Sequence, residues 1–169
     1  AKAGVEIHDT RATVAGPQAV RLASGREISA KHILVATGGR PFIPAPWAHL
    51  PVITSNEVFG LERLPKSILI VGGGFIACEF ACILNGMGVN VTQCYRGAQI
   101  LRGFDDEARG YIAEGIRAQG IDLHCGTDVL RMEPAPERGT LVTPTTGAAR
   151  VFDKVMYATG RVPNSAGLG

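Results

Sequence analysis

The sequence predicts an α/β fold, a βαβαβ parallel sheet joined to antiparallel meanders, and three observations carry that prediction. First, the apolar run Ile68-Leu69-Ile70-Val71 has the character of a short parallel strand buried on both faces. Second, strand and helix patterns alternate after it. Gly72-Gly73-Gly74 end the strand, Phe75 to Met87 has helical spacing closed by Gly86 and Gly88, and Val89 to Cys94 resumes as a strand. Asp105 and Asp106 then open a helix through Gln119, Gly120 stops it, and Ile121 to His124 is a third strand, with right-handed crossovers expected. Third, short alternating segments punctuated by Gly and Pro occur at both ends of the chain and suit antiparallel meanders.

The remaining elements follow in order. Val5 to His8, Ala12 to Ala15 and Ala19 to Leu22 read as strands, with turns at Gly16-Pro17 and Ser24-Gly25. Lys31 to Pro41, KHILVATGGRP, reads as an apolar strand running into Ala-Thr-Gly. Pro41 to Pro51 is a proline-rich linker containing Trp47, and Thr54 or Ser55 caps a short helix through Gly60. In the Phe75 to Met87 helix, Ile76, Phe80, Leu84 and Met87 are expected to face the sheet. Asp128 to Met132, Gly139 to Thr143 and Ala148 to Phe152 form a second meander, and KVMYATGRVP from Lys154 to Pro163 repeats the strand and Ala-Thr-Gly. Two copies of this arrangement imply two dinucleotide-binding domains, of which only the second carries a glycine fingerprint. The chain therefore reads as an internal segment of a longer polypeptide.

The composition is that of a globular domain. At 169 residues with a formal charge of +2, the chain shows no electrostatic signature of nucleic-acid or membrane-surface binding. No apolar run approaches the ~20 residues of a membrane span, and the first residues do not form a signal peptide, so a cytoplasmic location is expected. Cys78, Cys82, Cys94 and Cys125 show no metal spacing, and Cys78 and Cys82 read as small apolar core residues. His8, His32, His49 and His124 are scattered. Neither a metal site nor a catalytic residue is expected in this segment.

The chemistry concentrates in the glycine turn. Gly72, Gly74 and Ala77 satisfy G-x-G-x-x-A: a tight turn, a close approach of pyrophosphate to the backbone, and close packing of helix on strand, as in Rossmann-like domains. Phosphate would sit on the free N–H groups of the helix N-terminus. Sequences selecting NAD carry an acid about 20 positions after the glycines. Here the strand ends Gln93-Cys94-Tyr95-Arg96, and Arg96 and Arg102 flank the loop Gly97 to Leu101. Two guanidinium groups suit a 2′-phosphate, which points to NADPH. The competing reading is a pair of solvated surface arginines.

With these residues in place, the chain resembles the flavoprotein pyridine-nucleotide disulfide oxidoreductases, and among them the glutathione-reductase-like members. The likeness rests on IVGGGFIACEFACILNGMGVNVTQCYRGAQILRGFD, both Ala-Thr-Gly segments and the GRVPN motif, and it covers nearly the whole chain. It implies that residues 1–44 close a split FAD-binding domain, 45–160 form the NADPH-binding domain, and 161–169 return toward the FAD domain. It implies that Phe75 is an aromatic lid over the nicotinamide site, against an ordinary core aromatic, and that Ile76 and Glu79 lie near the nicotinamide. Glu79 would be a buried acid paired with a lysine of the FAD domain, against a solvated helix position. Gly160 and Arg161 match a segment near the flavin, where Arg161 meets a cofactor phosphate or a surface ion pair.

The resemblance further implies that the whole enzyme passes electrons from NADPH through FAD and a redox disulfide to glutathione disulfide, and forms a homodimer through a C-terminal domain. The cysteine pair, the flavin-binding glycine turn and the C-terminal His-Glu pair are not in this chain, which is expected to be inactive by itself. A trypanothione or mercuric reductase segment, or a non-catalytic NADP-binding module, fits the same residues.

Overall fold

The computed structural model describes residues 3–169. They divide into two compact units: residues up to Arg40 with Pro163–Gly169, and Pro41–Val162. The chain passes from one unit to the other within two short strands, β4 (Gly39–Pro41) and β12 (Arg161–Pro163).

The smaller unit is a three-stranded antiparallel meander of β1 (Ala12–Gly16), β2 (Ala19–Leu22) and β3 (Glu27–Ser29). Val14 pairs with Val20, and the register slips between Val14 and Gly16. Among the described residues of this unit only Leu22 is buried. Asn164 ties the returning segment to the first Ala-Thr-Gly: its amide donates to the Thr37 carbonyl (3.2 Å) while the Thr37 hydroxyl donates to the Asn164 carbonyl (2.8 Å).

Two expectations fail here. Val5 to His8 forms no strand; the meander takes Glu27–Ser29 as its third member instead. The apolar run before the first Ala-Thr-Gly is likewise not a strand, and Leu34 is 90% exposed. An apolar run becomes a buried strand only where neighbours satisfy its backbone groups and cover its faces. Among the described residues this run has no such partner strand.

The larger unit has those neighbours. β5 (Ser67–Val71), β6 (Asn90–Tyr95), β7 (Asp122–Cys125) and β11 (Lys154–Tyr157) form a parallel sheet in the order β11-β5-β6-β7. Helix α2 (Phe75–Gly86) joins β5 to β6, and α3 (Asp106–Ala118) joins β6 to β7. Alternation along β5 divides its side chains between two cores. Ile68 and Ile70 pack with Ala77, Ala81, Leu84 and Ile116. Leu69 and Val71 pack with Met132, Val142 and Phe152, from the antiparallel meander β8 (Val129–Pro134), β9 (Thr140–Pro144) and β10 (Arg150–Phe152). The register of β11 on β5 is pinned by Asp153, whose carboxylate accepts from the backbone of Lys66 (2.8 Å), and whose N–H donates to Ser67 Oγ (3.1 Å).

Local rules explain the helix ends. The short α1 (Ser55–Val58) begins at Thr54, whose hydroxyl accepts from Asn56 N while the Glu57 carboxylate accepts from Thr54 N, a capping box. Asp105 caps α3 by accepting from Ala108 N (3.0 Å). Helix α2 presents a rotated face relative to the expectation: Ala77, Cys78, Ala81 and Leu84 are buried, Ile76 and Phe80 lie at the core margin, and Met87 is 57% exposed. Small residues bring this helix close to the sheet, so the larger side chains are displaced to its flanks.

Asp122 joins the edge strand β7 to the meander. It accepts from Arg150 Nη1 (2.5 Å) and His124 Nε2 (2.7 Å). Burial works to raise its pKa, but these hydrogen bonds and the neighbouring positive charges hold it below the usual aspartate value. A depressed carboxylate pKa contributes stability that is present above the unfolded value of about 3.9 and lost as pH falls through the folded value. Asp122→Asn is therefore expected to lose less stability than the parent on acidification below about pH 4. Parallel acid limbs in urea titrations of the two proteins would exclude that contribution.

Candidate nucleotide site

The glycine turn is built by three different constraints. Gly72, at the end of β5, adopts φ +145, a region that L side chains rarely enter. A methyl placed on it would lie 2.8 Å from the Ala158 carbonyl carbon, in the second Ala-Thr-Gly. Gly73 is fixed by a ring: a methyl there would lie 2.7 Å from Tyr95 Cδ2. Gly74, the N-cap of α2, has φ −81, and nothing in the protein lies within 4 Å of where its side chain would be. Neither backbone nor packing demands glycine at 74, which leaves an open cradle at the helix N-terminus, where no side chain caps the free N–H groups. That geometry fits a phosphate approaching the backbone.

Gln93 braces this turn from below. It is fully buried, and its amide donates to the Gly72 carbonyl (3.0 Å) and to Cys78 Sγ (3.5 Å), while its Oε1 has no partner. The Gly72 N–H donates to the Cys94 carbonyl (2.9 Å). Ala77 is fully buried on the sheet side of α2, as the fingerprint requires.

The arginine loop meets the same turn. Leu101 N donates to the Gly73 carbonyl (2.6 Å). The Tyr95 ring wedges between Gly73 and Gly97, since a methyl on Gly97 would lie 2.8 Å from its Cζ. Arg96 and Arg102, at the two ends of the loop, are both exposed. Inside the loop Ile100 is fully buried and Leu101 nearly so. The structure thus brings the two predicted elements, turn and loop, into direct contact.

The other expected residues are placed as follows. Phe75 is 56% exposed at the first position of α2, so it is not a core aromatic in this chain. Ile76 is partly buried against the core. Glu79 is exposed, the solvated of its two expected positions: it lies one turn after Phe75 on the side of α2 opposite Ala77, Ala81 and Leu84. Gly160 is exposed with φ +147, and its carbonyl accepts from Phe42 N (3.0 Å). Arg161 is exposed at the start of β12.

Cys78 and Cys82 pack in and against the core, as expected. All four cysteines are free. Burial raises the Cys78 and Cys82 thiols and pushes Cys94 up to about 12, so none of these three is a thiolate at neutral pH. Among the described residues no group of His, Cys, Asp and Glu could hold a metal ion, and no helix is long and apolar enough to cross a membrane.

The parallel sheet, the glycine turn and the helix that follows it define a Rossmann-type α/β domain. Comparison with known proteins assigns it further. The family model of pyridine nucleotide-disulphide oxidoreductases matches residues 1–169, and the chain belongs to that family. It is 50% identical over 168 residues to a glutathione reductase of Burkholderia cepacia, covering 99% of this chain and 37% of that protein. It is 40% identical over 144 residues to a trypanothione reductase of Trypanosoma congolense, covering 83% of this chain and 29% of the relative. The copper(II) complex of the HOCl-induced flavoprotein disulfide reductase RclA from Escherichia coli superposes with a TM-score of 0.78 at 28% identity, over 96% of this chain and 38% of that one. The chain spans between 29% and 38% of the length of these relatives.

Proposed function

We propose that this chain holds NADPH for a flavin-dependent disulfide reductase whose substrate is glutathione disulfide. The observation that carries the proposal is the contact between the glycine turn and the arginine loop. One hydrogen bond, from Leu101 N to the Gly73 carbonyl, links the open cradle at Gly74 to the loop with an arginine at either end. The choice of glutathione disulfide rests on the relative at 50% identity, and FAD on the family likeness. Residues 1–44 and 161–169 then belong with the flavin, and 45–160 with NADPH.

When bound, NADPH would supply a hydride, for which FAD would be the acceptor. The chain's own residues do the holding. The free N–H groups at Gly74 and the first turn of α2 receive the pyrophosphate. Arg96 and Arg102 hold the 2′-phosphate with charge-assisted hydrogen bonds. The Phe75 ring offers an apolar face to the nicotinamide, and Ile76 borders it. Glu79, on the same exposed side of α2 one turn later, is placed to meet a cation of the flavin domain, and Gly160 and Arg161 lie on the segment leading there.

Calorimetric titration of the chain with NADPH and NADH tests this reading. Clear preference for NADPH is expected, and equal affinities would overturn the arginine clamp. Arg96→Gln and Arg102→Gln are each expected to weaken NADPH binding by ~1.5–3 kcal/mol, the worth of one hydrogen bond to a charged group. NADH affinity should be nearly unchanged in both.

A further inference from the structure

We propose that Arg109 is a positioning residue that sets the preference for NADPH by holding the arginine loop, without touching the nucleotide. The inference rests on the reading of Arg96 and Arg102 as the 2′-phosphate clamp and goes one step behind it. Arg109 lies in the first turns of α3, directly after that loop. Its Nε donates to the Ile100 carbonyl (2.8 Å) and its Nη2 to the Gln99 carbonyl (3.1 Å), while Nη1 pairs with the Asp106 carboxylate. All three guanidinium nitrogens are engaged, and the side chain is only 16% exposed.

A surface helix arginine paired at i,i+3 keeps most of its donors in water. Arg109 instead directs two of them into consecutive carbonyls of a loop nine and ten residues back. Gripping adjacent carbonyls fixes the orientation of the peptide between them, which one bond cannot do. The need is local: the next residue, Leu101, has φ 57, the only positive φ at a non-glycine position among the described residues. That unfavoured conformation turns the Leu101 N–H onto the Gly73 carbonyl and buries the Leu101 side chain. Arg109 on one side and Gly73 on the other thus fix the middle of a loop whose ends, Arg96 and Arg102, project to solvent. A lysine keeps the charge but lacks the planar fork that spans two carbonyls.

Arg109→Lys and Arg109→Met separate this role from general stability. Both are titrated with NADPH and NADH alongside the parent, and melting is followed for each. The expected result is a loss of roughly tenfold or more in the NADPH-to-NADH affinity ratio for both variants, the scale of one charge-assisted hydrogen bond, with NADH binding within about twofold of the parent. Asp106→Asn, which removes the ion pair but not the carbonyl fork, should keep the ratio. A parent that binds both nucleotides equally overturns the clamp and this inference with it. A parent that prefers NADPH, with Arg109→Lys retaining the full ratio or weakening both nucleotides in parallel, overturns the role of Arg109 alone.

Discussion

Gly72→Ala is expected to destabilise the larger unit by about 2–6 kcal/mol and to remove dinucleotide binding, whereas Gly74→Ala leaves the fold intact and weakens binding alone. At 72 two penalties add. An alanine must adopt φ +145, which costs roughly 1–3 kcal/mol, and its methyl must enter the space of the Ala158 carbonyl, an overpacking of similar size. That carbonyl has no room to withdraw, because Ala158 N donates to the Val71 carbonyl (2.8 Å) at the end of the paired strands β5 and β11. At 74 neither penalty applies: φ is −81 and the methyl points into open space. Its only adverse contact is with an incoming phosphate. Urea unfolding and nucleotide titration of both variants give a two-by-two result. A Gly72→Ala protein as stable as the parent would refute the steric account, and a Gly74→Ala protein with undiminished NADPH affinity would remove the cradle from the binding site.

Why some of this was legible in the sequence and some was not follows from how far each constraint reaches along the chain. The end of β5 at the glycines and the start of α3 at Asp105-Asp106 are signalled by residue types within a few positions, and both stand as read. The run before the first Ala-Thr-Gly is as apolar as β11, but a strand is a property of its partners. β11 has β5 beside it, and Ile33 to Val35 has no strand to pair with among the described residues. The buried face of α2 departs from the hydrophobic pattern because size outranks hydrophobicity where a helix lies close on a sheet. Ala77 and Ala81 are fully buried since they allow close approach, and Phe80 is pushed to the margin.

The supporting residues were invisible for the complementary reason. Gln93 reaches a carbonyl 21 residues away, Tyr95 fills the space left by Gly73 and Gly97, and Arg109 grips carbonyls in the preceding loop. No spacing rule joins such pairs. One signal was available: a glutamine in the middle of a strand, flanked by Val91-Thr92 and Cys94, needs a buried partner.

That glutamine yields the second large effect. Gln93→Glu is expected to give a protein whose stability, relative to the parent at the same pH, declines steadily as pH rises. The substitution is isosteric, so packing is preserved. The Gln93 amide now donates to the Gly72 carbonyl, and its Oε1 has no donor near it. An ionised carboxylate there would face the Gly72 carbonyl oxygen and the Cys78 sulfur, in a site with no exposure to water. The protonated acid keeps an O–H for the Gly72 carbonyl, so the folded state favours it, and the folded pKa rises above the unfolded value of about 4.3.

The sign follows directly. The native protein then binds more protons than the unfolded chain, so stability is greatest below about pH 4 and falls by about 1.4 kcal/mol per unit until the folded pKa is reached. Buried glutamates reach pKa values of about 8–9, so the loss by pH 8 approaches about 5 kcal/mol, a large part of the ~5–15 kcal/mol that holds a domain together. Gln93→Leu provides the control. It leaves the Gly72 carbonyl unsatisfied at a cost of about 1–3 kcal/mol but adds no titrating group, so its deficit should not vary with pH. Urea midpoints of the three proteins at pH 5 and pH 8 decide the matter. If Gln93→Glu and Gln93→Leu run parallel, water reaches the site and the brace on the glycine turn is not the dry contact the structure shows. If they diverge as described, the Gly72 carbonyl is held by a single buried donor, and the geometry of the phosphate cradle depends on a residue that no phosphate touches.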